Sequence, residues 1–93
     1  MQYETEIRKD GRKYLVIGEL WDDGVAYWDN WGEIVEHLVI QEDPEFNICE
    51  MYDSENNIIP LTTLTAQEIY NIIEIFTIDY WDKLIEKEGK YVD

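Results

Sequence analysis

The feature that most constrains the fold of this 93-residue chain is a long, uninterrupted helical segment near its C-terminal end. Thr65 and Glu68 have the spacing of a capping box, in which each side chain satisfies a backbone N–H at the start of a helix. Neither Pro nor Gly occurs from there to Glu88, and Gly89 marks the expected end. One stripe of this helix is apolar and should pack on a sheet: Ile69, Ile72, Ile73, Phe76, Tyr80 and Leu84.

The first 60 residues have the pattern of short strands separated by turns. Residues 2–8 alternate apolar and polar side chains, which predicts a strand with one wet face. Residues 9–11 contain Asp-Gly, which tolerates the positive φ of a hairpin turn. A longer strand over residues 12–21 and a second turn over residues 22–24 follow, so the start of the chain predicts an antiparallel meander.

The middle of the chain is more ambiguous. Residues 25–31 are predicted to be extended, whereas the spacing of apolar residues over 32–40 fits both a strand and a short helix. We favour a strand or an irregular stretch there. A break at residues 42–44, a strand over 46–52 and a polar turn over 53–57 complete this part.

Together these elements predict an α+β fold, in which a small antiparallel meander of about four strands is packed by one long C-terminal helix. The length predicts a single domain over residues 1–93, mainly β over 1–60 and helical over 65–88. The single cysteine, Cys49, excludes an intramolecular disulfide and is expected to be buried in a strand. No stretch approaches the roughly 18 apolar residues of a membrane span, so we expect no membrane association and a cytoplasmic protein.

The charge distribution points to a class of partner. From Tyr14 to Asp82 the chain has 69 consecutive residues without Lys or Arg, and 16 of them are acidic. The net charge of −15 opposes compactness by self-repulsion and exceeds what solubility requires. We therefore expect a strongly basic, nucleic-acid-binding protein as partner and no direct binding of nucleic acid. An acidic domain without such a partner, or one adapted to high salt, is the alternative.

Two groups of residues are candidates for the partner-binding surface. In the first group Trp28 and Trp31 are either core or interface residues, whereas Trp21 is expected to be buried. The acidic members of this group surround the tryptophans: Asp22, Asp23, Asp29 and Glu33. Such a surface combines apolar contact with negative charge and suits a groove lined by Arg and Lys.

The second group lies on the predicted helix. Asp79, Asp82 and Glu86 form a row with Glu68, roughly opposite the core stripe, that either imitates part of a phosphate track or is a solvated face. A further apolar face should serve as a homodimer contact or meet the partner itself, and it contains Tyr70, Ile78, Trp81 and Ile85.

Catalytic and metal-binding signals are weak. His37 and Cys49 are the only imidazole and thiol, and Ser54, the only serine, has no glycine-rich nucleophile elbow. The segment that begins at Asp53 opens like a calcium loop but has Ile58 where that loop needs glycine. We therefore expect no enzymatic activity, no cofactor and no metal.

A limited resemblance concerns the helix. Residues 66–70 (AQEIY), residues 77–81 (TIDYW) and Asp82 resemble the late helical region of the Ocr type of phage anti-restriction proteins, which are DNA mimics. The resemblance covers about a quarter of the chain. Those proteins have an acidic run where the end of this chain has lysines. They are helical in the region where the first half of this chain is predicted to form strands. More loosely, the chain is similar to small acidic phage proteins that include anti-CRISPR inhibitors.

The sequence therefore predicts a phage-encoded inhibitor of a bacterial DNA-targeting defence nuclease. It would fill the basic groove of a CRISPR effector or a restriction enzyme as an acidic nucleic-acid mimic. Two alternatives stay open at this point. One is an immunity protein or antitoxin that caps a basic nuclease toxin, and the other is a small acidic virion or housekeeping binding module.

Overall fold

The computed structural model describes residues 2–32, 34 and 36–88, with side chains through residue 86. The described part contains five strands and one long helix, which confirms the α+β class. These elements are β1 (Gln2–Lys9), β2 (Arg12–Asp22), β3 (Val25–Asp29), β4 (His37–Glu42), β5 (Glu45–Asp53) and α1 (Ala66–Glu88), with a 3-10 turn at Leu61–Thr63 before the helix. Gly89, the predicted helix end, lies outside the described residues.

The strands form two antiparallel sheets instead of one meander. One sheet has the order β1-β2-β5, and the other consists of β3 and β4. The ladder between β2 and β5 ends at the pair Asp22 and Glu45, and the ladder between β3 and β4 begins at Val25 and Glu42. The two ladders are therefore one long ribbon with a kink between them. We call the β3–β4 hairpin, residues 25–42, the arm.

The kink has a local cause on each strand. Gly24 has a φ of +72°, a conformation that favours glycine, and its N–H binds Asp22 Oδ1 at 2.9 Å. On the opposite strand Pro44 is buried and has no N–H to continue the ladder. The resulting molecule is elongated, with principal extents of 52 × 22 × 19 Å. Its radius of gyration is 16.1 Å, whereas a compact domain of this length would have one of about 12 Å.

The core lies between α1 and one face of the three-stranded sheet. Its fully enclosed side chains are Tyr3, Val16, Met51, Ile72 and Phe76. The helix approaches closely because β2 has glycine at position 18, where a Cβ atom would lie 2.5 Å from Phe76 Cε2. Of the predicted stripe, Ile72 and Phe76 are buried, whereas Ile69, Ile73, Tyr80 and Leu84 are half-buried.

Two predicted burials are wrong for the same reason, which is a β-bulge in the ladder between β2 and β5. Trp21 is 65% exposed and is the extra residue of the bulge at which the pairing shifts from Leu20–Phe46 to Asp22–Glu45. Cys49 is exposed at an irregularity of the ladder, where the pairing shifts from Ile17–Glu50 to Gly18–Ile48. Cys49 is the extra residue of this bulge. No helix covers the outer face of this sheet in the described part of the chain.

The start of α1 has the predicted capping box. The Thr65 N–H donates to Glu68 Oε1 at 2.9 Å, and the Glu68 N–H donates to Thr65 Oγ1 at 3.1 Å. Lys9 Nζ binds the same Glu68 oxygen at 2.9 Å and therefore ties the β1–β2 turn to the helix. The Thr65 N–H, and next the Lys9 ammonium, hold the pKa of Glu68 below its usual value.

We expect Thr65→Ala to lower the free energy of unfolding by about 1 kcal/mol, because one N–H at the helix start loses its acceptor. For a domain of this size the melting temperature should fall by roughly 4–8 °C. Thr62→Ala is the control, since Thr62 is exposed in the turn before the helix. Equal melting temperatures for the two variants, measured by circular dichroism, would contradict a stabilising cap.

Candidate partner-binding surface

The kink gathers a group of acidic residues from two separate segments of the chain. These carboxylates, which we call the kink cluster, are all exposed: Asp22, Asp23, Glu42, Asp43 and Glu45. Asp22 lies directly opposite Glu45 in the ladder, and like charges in that position destabilise a sheet. The ion pairs between described residues join Lys9 to Glu68 and Lys83 to Asp79, so neither neutralises the kink cluster.

The sequence predicted only part of this cluster. Asp22 and Asp23 were predicted as partner-binding residues, but Glu42, Asp43 and Glu45 were not. About twenty residues separate the two halves in the sequence, and only the register of the ribbon brings them together. The signal that could have found them is that an acidic, turn-forming segment occurs on each side of residues 25–41, at 22–24 and at 42–45.

The arm continues the negative surface beyond the kink. All charged residues from 25 to 42 are acidic, and His37 is the only other titratable group there apart from Tyr27. Asp29, a predicted site residue, is half-buried at the end of β3 and accepts a hydrogen bond from the Trp31 N–H at 3.1 Å. Glu33, also predicted, lies outside the described residues. The arm therefore has one sign of charge along its length.

The tip of the arm presents an aromatic side chain in an unusual conformation. Trp31 is 63% exposed and has a φ of +46°, which is rare for a bulky residue. Its ring stacks on His37 with 4.8 Å between centroids and an interplanar angle of 16°. Backbone strain of this kind costs of the order of 1–3 kcal/mol and is found at ligand-binding positions. Trp28 is half-buried, so Trp31 is the more accessible of the two predicted anchors.

The predicted acidic row on α1 is only partly available. Glu68 belongs to the capping box, and Asp79 pairs with Lys83 at 3.0 Å, so neither presents an uncompensated charge. Both are half-buried, because the row lies beside the core stripe and not opposite it. Asp82 and Glu86 are exposed, as predicted.

The predicted acidic row on α1 nevertheless lies next to the kink cluster. Burial raises the pKa of the Tyr3 hydroxyl; Lys83 opposes that shift, whereas Asp79 and Asp23 add to it. The contacts agree, since Lys83 joins Asp79 to the Tyr3 ring, and Tyr3 packs on Phe46, which follows Glu45 of the kink cluster. The structure thus brings the two predicted acidic groups into one region of the molecule, around the end of β2 and the second half of α1.

The position of Trp81 corrects its prediction as an exposed contact. It is only 8% exposed and packs edge-to-face on Tyr80, with ring centroids 4.8 Å apart. Its neighbours on the same face differ, since Tyr70 is 63% exposed and Ile78 is 57% exposed. Trp81 thus forms the floor of this apolar face, and the other two side chains form its surface.

Four of the seven basic residues lie at the opposite end of the molecule, whereas Lys83 lies on α1, where it pairs with Asp79 and sits 4.6 Å from the centroid of the Tyr3 ring. Arg8, Lys9, Arg12 and Lys13 flank the β1–β2 turn. The strand β2 runs from this turn to the kink cluster, a distance of about 33 Å at 3.3 Å per residue. Because the Debye length at physiological salt is about 8 Å, the basic end does not screen the kink cluster.

In the described part of the chain, no three potential metal ligands lie close together. The described helix also falls short of the apolarity that a membrane span needs. Comparisons with protein-family models, curated proteins and solved structures found no significant match.

Proposed function

We propose that this protein is a phage-encoded inhibitor of a bacterial DNA-targeting defence nuclease and acts in the host cytoplasm. It occupies the basic groove that normally holds nucleic acid, and it blocks that groove sterically without catalysis. The partner is a CRISPR effector or a restriction enzyme. The observation that supports this proposal best is the kink cluster, in which Asp22 and Glu45 oppose each other without a neutralising cation among the described residues.

The shape of the molecule supports the same proposal. Its length of 52 Å equals that of about 15 base pairs at 3.4 Å each. The arm and the kink form a narrow extension whose charges are all negative, so they match a groove lined by Arg and Lys. The cationic groove attracts this surface over a distance, and Trp31 at the tip then supplies apolar contact.

A cleavage assay with purified enzymes tests the proposal. A CRISPR effector nuclease and a restriction enzyme are each mixed with the protein and a labelled DNA substrate. We expect stoichiometric inhibition of one of them, relieved by excess cognate DNA that lacks a cleavage site. The association rate should fall steeply with added salt, because screening weakens steering. Simultaneous binding of DNA and inhibitor would contradict the proposal.

The assay also addresses the alternative function. Inhibition of a nuclease toxin, with none of the defence enzymes affected, would identify the protein as an immunity protein or antitoxin. A gel-shift assay at low salt is the necessary control. The net charge of −15 should prevent any direct binding of DNA or RNA, and a reproducible shift at micromolar protein would rule out mimicry.

We expect Trp31→Ala to weaken inhibition about 30-fold or more, because an exposed tryptophan at an interface commonly contributes at least 2 kcal/mol. The fold should be unaffected, since Trp31 lies at the tip and outside the core. Ile58→Ala is the control, because Ile58 is 73% exposed but lies beyond β5, near the basic end. An equal effect of both substitutions on the inhibition constant would argue against an anchor at the tip.

A further inference from the structure

A groove of about 380 Å³ lies between α1 and the loop that joins β4 to β5. It is on the side of the helix that carries Tyr70 and Ile78, and it plays no part in the core described above. Its apolar lining comes from three elements of the chain and consists of Ile40, Pro44, Tyr70, Ile73, Ile78 and Trp81.

Large apolar side chains of this groove are left in contact with water. Tyr70, Ile78 and Ile40 are 63%, 57% and 44% exposed and lie together in one patch. Exposed apolar residues that occur singly need no explanation, whereas a contiguous patch marks a contact surface. The groove therefore has the character of an interface.

The floor of the groove supplies a second observation. Trp81 is more than nine-tenths buried, and its Nε1–H has no acceptor among the described residues. Buried donors are nearly always paired in folded proteins. The indole ring of Trp81 lines the open groove, so a segment bound there would contact this ring and change the surroundings of its N–H.

The charges around the groove restrict what can bind there. Among the described residues, its charged lining consists of Asp43 and Glu74, and both are acidic. A second copy of this chain would bring another net charge of −15 against them, so self-association is disfavoured. Asp43 also belongs to the kink cluster, which makes the groove continuous with the proposed partner-binding surface.

We propose that the groove binds a short segment of the partner protein that has apolar side chains flanked by Lys or Arg. This inference rests on the proposed function in so far as the partner is the same basic protein. The apolar side chains pack on Tyr70, Ile78 and the Trp81 ring, and the cations pair with Asp43 and Glu74. The groove then contributes specificity, while the arm contributes electrostatic attraction.

A peptide of defined chemistry tests the groove without the target. The probe is a 14-residue amphipathic peptide of Leu and Lys. One control peptide has Ser in place of every Leu and the same number of lysines. Binding to the 93-residue protein is followed by the indole N–H resonance of Trp81, which is assigned with Trp81→Phe. We expect a saturable shift with the Leu-Lys peptide and none with the Ser-Lys peptide.

Substitutions in the protein locate the binding site. The double variant Tyr70→Ser, Ile78→Ser should weaken binding of the Leu-Lys peptide at least tenfold. Ile75→Ser is the matched control, since Ile75 is 43% exposed on the same helix but lines a different hollow, with Ile7 and Ile72. Thermal melts of each variant show whether the fold persists, and the control should bind as the wild type does.

Three results would overturn the inference. One is equal binding of both peptides, which would mean that charge alone attracts them. Another is equal binding by the double variant and Ile75→Ser. The last is a dimer of the wild type, seen by sedimentation velocity, that does not form with the double variant. This result would assign the groove to a second copy of this chain.

The cleavage assay separates this inference from the proposed function. Full inhibition by the Tyr70→Ser, Ile78→Ser variant would overturn the role of the groove and leave the proposed function standing. Specific binding of the peptide by a wild-type protein that inhibits no nuclease would support the groove and contradict the proposed function.

Discussion

Reversal of four acids at the kink should abolish inhibition of the target nuclease and leave the fold intact. The substitutions are Asp23→Lys, Glu42→Lys, Asp43→Lys and Glu45→Lys, which spare Asp22 because its carboxylate binds the Gly24 N–H. Each exposed ion pair contributes about 0.2–1 kcal/mol, so four lost pairs weaken binding by up to roughly a thousandfold, before any repulsion is counted. A single reversal should have little effect.

A matched variant distinguishes the position of the charges from their number. Glu4, Glu6, Glu19 and Glu55 are also exposed, and none of them belongs to the kink cluster. Reversal of these four acids changes the net charge by the same amount. We expect this control to inhibit within about tenfold of the wild type, because only long-range attraction is reduced. Equal inhibition constants for the two quadruple variants would contradict a localised acidic site.

The thermal stability of the variant with four reversed kink acids shows whether its fold is intact. Glu45→Lys places a cation opposite Asp22, which replaces a repulsive cross-strand pair by an attractive one. The melting temperature of the quadruple variant should therefore equal or exceed that of the wild type. A marked decrease would mean that these acids stabilise the fold and that the loss of inhibition has a structural cause.

Gly24→Ala should lower the free energy of unfolding strongly, by about 2–5 kcal/mol in total. A Cβ atom there would lie 2.5 Å from the Glu42 carbonyl oxygen and 2.8 Å from the Pro44 nitrogen. Both are backbone atoms, so the steric clash can be relieved only if the two strands of the kink separate. The positive φ adds about 1–2 kcal/mol, and the crowding adds about 1–3 kcal/mol.

Gly32→Ala is the control for this prediction. Gly32 has a similar φ of +79°, but apart from its chain neighbours no described residue has an atom within 4 Å of the position that a Cβ would occupy. The difference between the two variants therefore isolates the crowding at the kink from the cost of the backbone conformation. Urea denaturation followed by circular dichroism measures both free energies of unfolding. Equal free energies of unfolding for the two variants would show that the kink accommodates a methyl group without loss of stability.

The Gly24→Ala variant also links the fold to the proposed function. If Gly24→Ala separates the strands, Asp22 and Glu45 move apart and the arm changes its direction relative to the three-stranded sheet. We expect a loss of inhibition together with a changed radius of gyration in X-ray scattering. Gly32→Ala should retain the radius of gyration of the wild type.

Local chemistry alone determined several parts of this protein. The start of α1 follows from Thr65 and Glu68, because a capping box involves only residues three positions apart. The β1–β2 hairpin follows from Asp10 and Gly11, whose φ angles of +52° and +76° suit a tight turn. The negative surface between residues 14 and 82 follows from composition, since no fold can supply cations that the segment lacks.

The tertiary structure decided which of these residues act together. The register of a kinked ribbon joined Asp22 and Asp23 to Glu42, Asp43 and Glu45. The packing of α1 on the sheet buried Trp81, and the bulge in β2 left Trp21 in solvent. Neither result could be obtained from sequence, because a strand or helix has several faces. Which face is covered depends on packing partners that are remote along the chain.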